Sequence, residues 1–194
     1  MITFRKVSFS FGENTVFDRL DLTLPDTGCF ALMGESGSGK TTLLRLLAGL
    51  LSPSGGSVTG TEGKRIAVLF QEDRLLPWRT ALENVIAGST TEAARSWLEK
   101  LEIPEVDKMP DTLSGGMQRR VALARALAFG GQMLLMDEPF KGLDGPLRAR
   151  VAGQIRNAGF PFILFITHDP EEAELMGARI LRTEEIRRHE YVLE

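Results

Sequence analysis

The chain has 194 residues and 21.4 kDa, with 43% hydrophobic residues, 25% charged residues and a formal net charge of -3. That is one globular domain with a buried core, too apolar for a disordered chain and too acidic for a non-specific nucleic-acid binder. A lone cysteine, Cys29, forms no intrachain disulfide, no apolar run spans a bilayer, and the start MITFRKVSFSFGEN lacks a signal peptide's apolar stretch, so neither secretion nor membrane spanning nor a disulfide scaffold is expected.

No internal repeat or low-complexity tract is present. Ile2, Phe4, Val7, Phe9 and Phe11 alternate apart from one slip, and Leu20, Leu22 and Leu24 keep period two, so the chain opens on strands with a turn at Gly12 to Val16. The apolar run CFALM (Cys29 to Met33) leads into a glycine-rich loop and the helical stretch KTTLLRLLAGL. Three further runs, IAVLF (Ile66 to Phe70), MLLM (Met133 to Met136) and FILFIT (Phe162 to Thr167), read as strands buried on both faces of a parallel sheet. Between them, Thr91 to Ile103 places Ala94, Trp97, Leu98 and Leu101 on one helical face. After Ser114, GMQRRVALARALAF does the same with Val121, Ala124, Leu127 and Ala128. Pro146 suits a first helical position and Gly159 a helix stop. The expected fold class is α/β: one domain, 1–194, with helices inserted between strands.

GESGSGKTT, Gly34 to Thr42, lies between a predicted strand and a predicted helix. Glycines let successive N–H groups curl around a β-phosphate, and the helix N-terminus adds a favourable dipole. Lys40 neutralises the β- and γ-phosphates, and the Thr41 hydroxyl suits Mg²⁺. This is a nucleoside triphosphate site. Kinases, GTPases and motor ATPases share the loop, but the Asn-Lys-x-Asp guanine reader is absent: none of Asn14, Asn84 or Asn157 precedes a lysine.

MLLMDEP ends a buried strand on two adjacent carboxylates, Asp137 and Glu138. With the phosphate loop upstream, the first suits the metal shell and the second an attacking water. LSGGMQRR, Leu113 to Arg120, offers backbone amides and a hydroxyl at a helix start; alone, it reads as an anion site or as a plain Ser114 N-cap with a glycine turn. His168 ends the strand FILFIT and so falls on the sheet edge that carries Asp137.

With GESGSGKTT, Gln71 at a strand end, LSGGMQ, LLMDEP, GLD and ITHD in this order, the chain resembles the ATP-binding cassette (ABC) ATPases over essentially its whole length. The resemblance implies a P-loop NTPase core of mostly parallel sheet, an N-terminal antiparallel β subdomain and an inserted helical subdomain. The core would take roughly 1–71 and 130–194, and the helical subdomain with the signature motif 72–129. It implies ATP and Mg²⁺, hydrolysis, and two cassettes paired head to tail around two ATP molecules. Phe11 would stack on adenine, where the family more often has tyrosine; the competing reading makes it strand core. Gly34, Glu35, Ser36, Gly37, Ser38, Gly39, Lys40, Thr41 and Thr42 would bind the phosphates, and Thr41, Gln71 and Asp137 would serve Mg²⁺. Glu138 would be the general base, and His168 would contact the γ-phosphate and the attacking water. Ser114, Gly115 and Gly116 would reach the γ-phosphate of the other subunit, with Asp144 at the dimer seam. The seam reads Lys141-Gly142-Leu143-Asp144 where the family usually has Ser-Ala-Leu-Asp, which alters its finer contacts.

The short interval from Gln71 to Ser114 leaves no room for coiled-coil arms, and the approach MPDTLSGG resembles importers. FQEDRLLPWRTALENV, Phe70 to Val85, is similar to the nitrate/sulfonate/taurine-type import ATPases. By that similarity, Leu75, Leu76 and Trp78 would receive a cytoplasmic helix of an integral membrane permease; core packing is the competing reading. A substrate-binding protein would complete the complex, and the subunit would sit in the cytoplasm against the inner face of the cell membrane. Little sequence follows FILFITHDPEEAELMGARILRT, so no regulatory domain is expected, and EEIRRHEYVLE is expected to be a solvated end. A soluble ABC ATPase that remodels a cytosolic partner would keep every ATP motif without the groove. A P-loop kinase would share Gly34 to Thr41 without LSGGM.

Overall fold

A computed structural model of the chain describes residues 1–187. The opening alternation becomes antiparallel strands β1 (Ile2–Phe11) and β2 (Asn14–Leu24), with Ile2, Phe4, Val7 and Phe9 buried. The slip between Phe4 and Val7 is a β-bulge: the register shifts there and Lys6 takes a φ of 47°. The extra residue returns Val7 to the core side. The turn is tighter than the expected Gly12 to Val16, because Asn14 and Thr15 already pair with Phe11 and Ser10.

β3 (Gly28–Met33) runs into the phosphate loop and α1 (Lys40–Leu47), which stops short of the expected helix where Gly49 adopts φ 69°. β4 (Gly55–Thr59), which the sequence pattern did not announce, joins the other edge of β1. Its Gly56 fits against the bulge, where a Cβ would stand 2.2 Å from the Lys6 carbonyl oxygen. The chain continues through β5 (Ile66–Leu69), α2 (Ala81–Ile86), α3 (Thr91–Lys100), a 3₁₀ turn at Pro110–Thr112, and α4 (Gly115–Phe129). Then come β6 (Met133–Asp137), α5 (Gly145–Arg156), β7 (Phe162–Ile166), α6 (Pro170–Met176), β8 (Arg179–Arg182) and α7 (Thr183–Arg187).

The second sheet is parallel, in the order β5-β6-β7-β3-β8. Every residue of β6 and β7 is buried, as continuous apolar runs require of central strands covered on both faces. β5 departs from that expectation: it is an edge strand, and only Ala67 and Leu69 are fully buried. Side-chain alternation sends Leu134, Met136, Ile163 and Phe165 to a core shared with α2–α5. Met133, Leu135, Phe162, Leu164 and Ile166 go to a second core under the antiparallel sheet and α1.

The apolar face of α3 is buried at Ala94 and Leu98, with Trp97 half-buried beside Lys100. α4 is covered more widely than a single stripe predicts: Ala122, Leu123 and Ala126 are buried as well as Val121, Ala124 and Leu127. Pro146 is the second residue of α5, after the Asp144 cap. Of the expected solvated end, Ile186 is buried in α7, and residues 188–194 lie outside those described. Burial pushes the Cys29 thiol up to about 11, so at neutral pH it is a protonated core group rather than a nucleophile. Among the described residues no helix is long and apolar enough to cross a membrane.

Leu164 sits in the middle of β7, flanked by Leu135 and Phe30, and is fully buried. Leu164→Ala is expected to cost about 3 kcal/mol in urea unfolding. Leu50→Ala, at a half-exposed position, should stay within about 0.5 kcal/mol.

Candidate functional site

The C-terminal ends of β3, β6 and β7 meet at one edge of the parallel sheet and frame a cleft of about 410 Å³. The phosphate loop forms one wall. Gly37 and Gly39 lie at φ 78° and 92°, and a Cβ on Gly39 would strike Val16 and Phe17 at 2.8 and 2.9 Å. Gly34 is equally constrained, since its Cβ would stand 1.9 Å from the buried Thr183 hydroxyl of α7. These positions tolerate only glycine, and the loop is shaped before any ligand arrives.

Lys40 begins α1 and folds back over its own loop, donating to the carbonyls of Gly34 (2.8 Å) and Glu35 (2.7 Å). The Thr41 hydroxyl donates to Asp137 Oδ2 at 2.8 Å. Thr42, Ser36 and Gln71 also line the cleft, while Glu35 and Ser38 contribute backbone to the loop without lining it. Asp137 is only 4% exposed. Burial pushes its carboxyl above the usual range; the Thr41 hydrogen bond counters the shift and the neighbouring Glu138 charge adds to it.

Glu138 carries the only strongly unusual backbone in the cleft wall apart from glycine, a left-handed φ of 51°. Its N–H donates to the Ile166 carbonyl at 3.1 Å, and its carbonyl accepts from Arg119. The carboxylate then lies between two cationic or potentially cationic groups: Oε1 is 3.9 Å from His168 Nδ1 and Oε2 is 3.8 Å from Lys141 Nζ. His168 follows β7 and is 80% exposed, free to swing toward a ligand. Behind it, Thr167 donates to Glu172 Oε2 at 2.5 Å, and Arg148 bridges Asp169 at 2.7 Å, which fixes the segment that carries the histidine.

Phe11 borders the cleft, 49% exposed, with its ring edge-to-face on Phe9 at 4.9 Å. The strand-core reading of Phe11 is therefore set aside; a propped, open aromatic face is what a base can stack on. Ser114, Gly115, Gly116 and Asp144 are not in this cleft. Ser114 caps α4 by accepting from the Met117 N–H at 3.3 Å, Gly115 and Gly116 open the helix, and Asp144 caps α5. A Cβ on Gly116 would sit 3.2 Å from the Gly142 carbonyl, so the signature turn and the seam segment touch.

Among Leu75, Leu76 and Trp78 the two competing readings divide. Leu75 packs on the helical-side core. Trp78 is 71% exposed on a loop that buried Asn84 pins through the carbonyls of Leu76, Arg79 and Thr80 at 3.0–3.1 Å.

Three neighbours of the site are given no role by the sequence motifs: Lys141, Thr183 and Arg119. Only Arg119 had a readable signal. With Ala122, Leu123 and Ala126 it makes an i, i+3, i+4, i+7 set, which puts it on a buried face of α4.

The donor set fits a divalent cation bound together with phosphate oxygens. A hydroxyl and a carboxylate already converge, Gln71 faces them, and no group of three or more His, Cys, Asp or Glu among the described residues forms a metal cage without phosphate.

A family model described as "ABC transporter" matches residues 17–141. The chain is 43% identical over 188 residues to the aliphatic sulfonates import ATP-binding protein SsuB 3 of Paraburkholderia xenovorans, covering 93% of this chain and 75% of that protein. It is 40% identical over 188 residues to the aliphatic sulfonates import ATP-binding protein SsuB 1 of Paracoccus denitrificans, covering 93% and 78%. Its fold superposes on the dimeric post-hydrolysis structure of the ATP-binding cassette MJ0796 bound to ADP and Pi, with a TM-score of 0.83, 27% identity and 94% of each chain covered.

A carboxyl whose folded-state pKa is raised stabilises the fold below its unfolded value, and that contribution is lost as pH rises through the folded value. The Asp137 carboxylate therefore costs stability at neutral pH. Asp137→Asn should raise the melting temperature of the ligand-free protein at pH 7.5, by an amount that shrinks toward pH 4. A lowered melting temperature would contradict this.

Proposed function

Because the chain belongs to the ABC transporter family, and is thereby an ATP-binding ATPase domain, we propose that it is the energy-coupling subunit of an importer. Two cassettes close head to tail over two ATP–Mg²⁺, and closure moves a membrane permease. One observation carries this reading: a single chain assembles loop, metal-side hydroxyl and carboxylate, and base in the cleft, with His168 beside the base in the adjoining pocket, yet leaves Ser114, Gly115 and Gly116 outside both.

In the chemical step, Phe11 stacks on adenine and the loop amides from Gly34 to Thr42 hold the phosphates. Lys40 exchanges its contacts with the Gly34 and Glu35 carbonyls for the β- and γ-phosphate oxygens, a change of partner rather than an opening of the fold. Thr41, Asp137 and Gln71 would hold Mg²⁺, which would supply neutralisation of phosphate charge. Glu138 takes a proton from the attacking water onto its carboxylate as the water oxygen bonds to the γ-phosphorus and the bond to the β–γ bridging oxygen breaks, releasing ADP and phosphate, and His168 orients that water and the γ-phosphate. Ser114 and the Gly115 and Gly116 amides of the second cassette supply the remaining donors, with Asp144 at the seam. Losing one preorganised donor typically costs about 10²–10³ in rate, so an isolated chain hydrolyses ATP slowly.

The division into a core at 1–71 and 130–194 and a helical part at 72–129 gives closure two bodies to move. The exposed Trp78 and its pinned loop support a permease contact on the helical side. The import proteins named above support the importer reading, with a substrate-binding protein as the third component. The subunit is then peripheral, held at the inner face of the cell membrane by the permease. The cleft is taken up by the nucleotide, so cargo choice is assigned to those partners.

Tagged protein purified from detergent-solubilised native membranes should bring a multi-span permease with it. Trp78→Asp should lose that partner while keeping ATP affinity within about twofold, since Trp78 lies outside the cleft. Recovery from the soluble fraction alone would favour a cytosolic remodelling ATPase.

A further inference from the structure

Arg119 is 3% exposed and sits one turn into α4, between the helical part and the sheet edge. Its guanidinium has five N–H donors in a rigid fork. On one side, Nη1 donates to the Phe70 carbonyl at 2.6 Å and to Asp73 Oδ1 at 2.9 Å. On the other, Nε and Nη2 donate to the Glu138 carbonyl at 3.2 and 2.8 Å, and Nη2 also reaches the Asp137 carbonyl. The fork is thus fully used, half on the segment around Gln71 and half on the two acidic residues that end β6.

We infer that Arg119 is the positioning residue that couples the permease-facing segment to the general base. The inference rests on Glu138 being that base. The Glu138 backbone holds a left-handed conformation that a side-chain-bearing residue keeps only when its surroundings over-determine it. Its N–H is held by the Ile166 carbonyl and its C=O by Arg119. Releasing the C=O frees the residue to rotate, which carries the carboxylate away from His168. The same guanidinium grips Phe70 and Asp73, a few residues before Trp78. A shift of that segment therefore pulls on the carbonyl that sets the base. Its grip on two carbonyl chains also explains a buried arginine here: a lysine, as a point charge, reaches Asp73 but does not span both sides.

α4 supplies an internal control. Arg125 donates to the Asp73 carbonyl at 2.7 Å and to the Arg74 carbonyl at 2.8 Å. It tethers the same segment from the same helix but, among the described residues, makes no hydrogen bond or ion pair to β6 or Glu138. A purely structural tether predicts equal effects from the two arginines. Coupling through Glu138 predicts that only Arg119 changes the chemistry.

The test measures kcat for ATP hydrolysis and equilibrium ATP affinity in the full chain, with Arg119→Gln, Arg119→Lys, Arg125→Gln and Glu138→Gln side by side. Arg119→Gln should lower kcat tenfold or more with ATP affinity within twofold of the parent. Arg119→Lys should recover part of that loss and remain at least threefold below the parent. Arg125→Gln should keep kcat within twofold. Parental kcat in Arg119→Gln overturns the inference, as does an equal kcat loss in Arg125→Gln or a fall in affinity parallel to kcat. Should Arg119→Gln fail to fold, Arg119→Lys decides, because it keeps the charge for Asp73; parental kcat there overturns the inference too. Glu138→Gln separates the two levels. Retained turnover overturns the base assignment and the coupling with it, whereas an inactive Glu138→Gln beside a normal Arg119→Gln overturns the coupling alone.

Discussion

The parallel ladder of β3, β7 and β6 is the constraint from which the site follows. Ile166 ends β7 paired with Leu32 on one side and Asp137 on the other. In-register pairing therefore forces the phosphate loop after β3, the acidic pair after β6 and the histidine after β7 onto one edge. The Thr167 N–H reaches the Leu32 carbonyl at 3.3 Å and the Glu138 N–H reaches that of Ile166 at 3.1 Å, so the ladder continues into the segments that carry the candidate site residues. Two apolar layers hold it in place, one under the antiparallel sheet and one under the helices. A one-residue slip in β6 would separate Asp137 from the Thr41 hydroxyl.

Buried polar groups concentrate where that edge meets the helical part. Asp137, Arg119, Thr167, Glu172 and Asn84 are all buried. Each has a partner: Asp137 the Thr41 hydroxyl, Arg119 five carbonyl or carboxylate groups, Glu172 the Thr167 hydroxyl, Asn84 the loop that carries Trp78. Burial raises the Glu172 carboxyl as it does that of Asp137, so both acids are held at an energetic cost that the surrounding core offsets. The fold spends stability at the site and recovers it in the apolar layers.

The glycine-rich loop, the strand-end acids and the histidine were legible because each lies beside a continuous apolar run whose end marks the sheet edge. β4 was not, since Gly55, Gly56 and Ser57 carry no alternation and the strand exists to fill space against the Lys6 bulge. The edge position of β5 was hidden too, because strand order is not written in the apolar pattern of IAVLF. Glu138 could be named as a candidate base from its neighbours, but its left-handed backbone follows from contacts with Ile166 and Arg119 that are distant in sequence. Leu75 and Trp78 look alike in a linear apolar run; only the packing of the first and the exposure of the second divide core from surface.

The central claim is that one chain holds an incomplete site which a second chain completes. Light scattering of Glu138→Gln with saturating ATP and Mg²⁺ tests it most directly, because slow turnover should preserve the closed state. The account predicts a mass near twice 21.4 kDa that returns to the monomer value when ATP is withheld. A monomer at saturating ATP and Mg²⁺, with nucleotide shown to be bound, would contradict it.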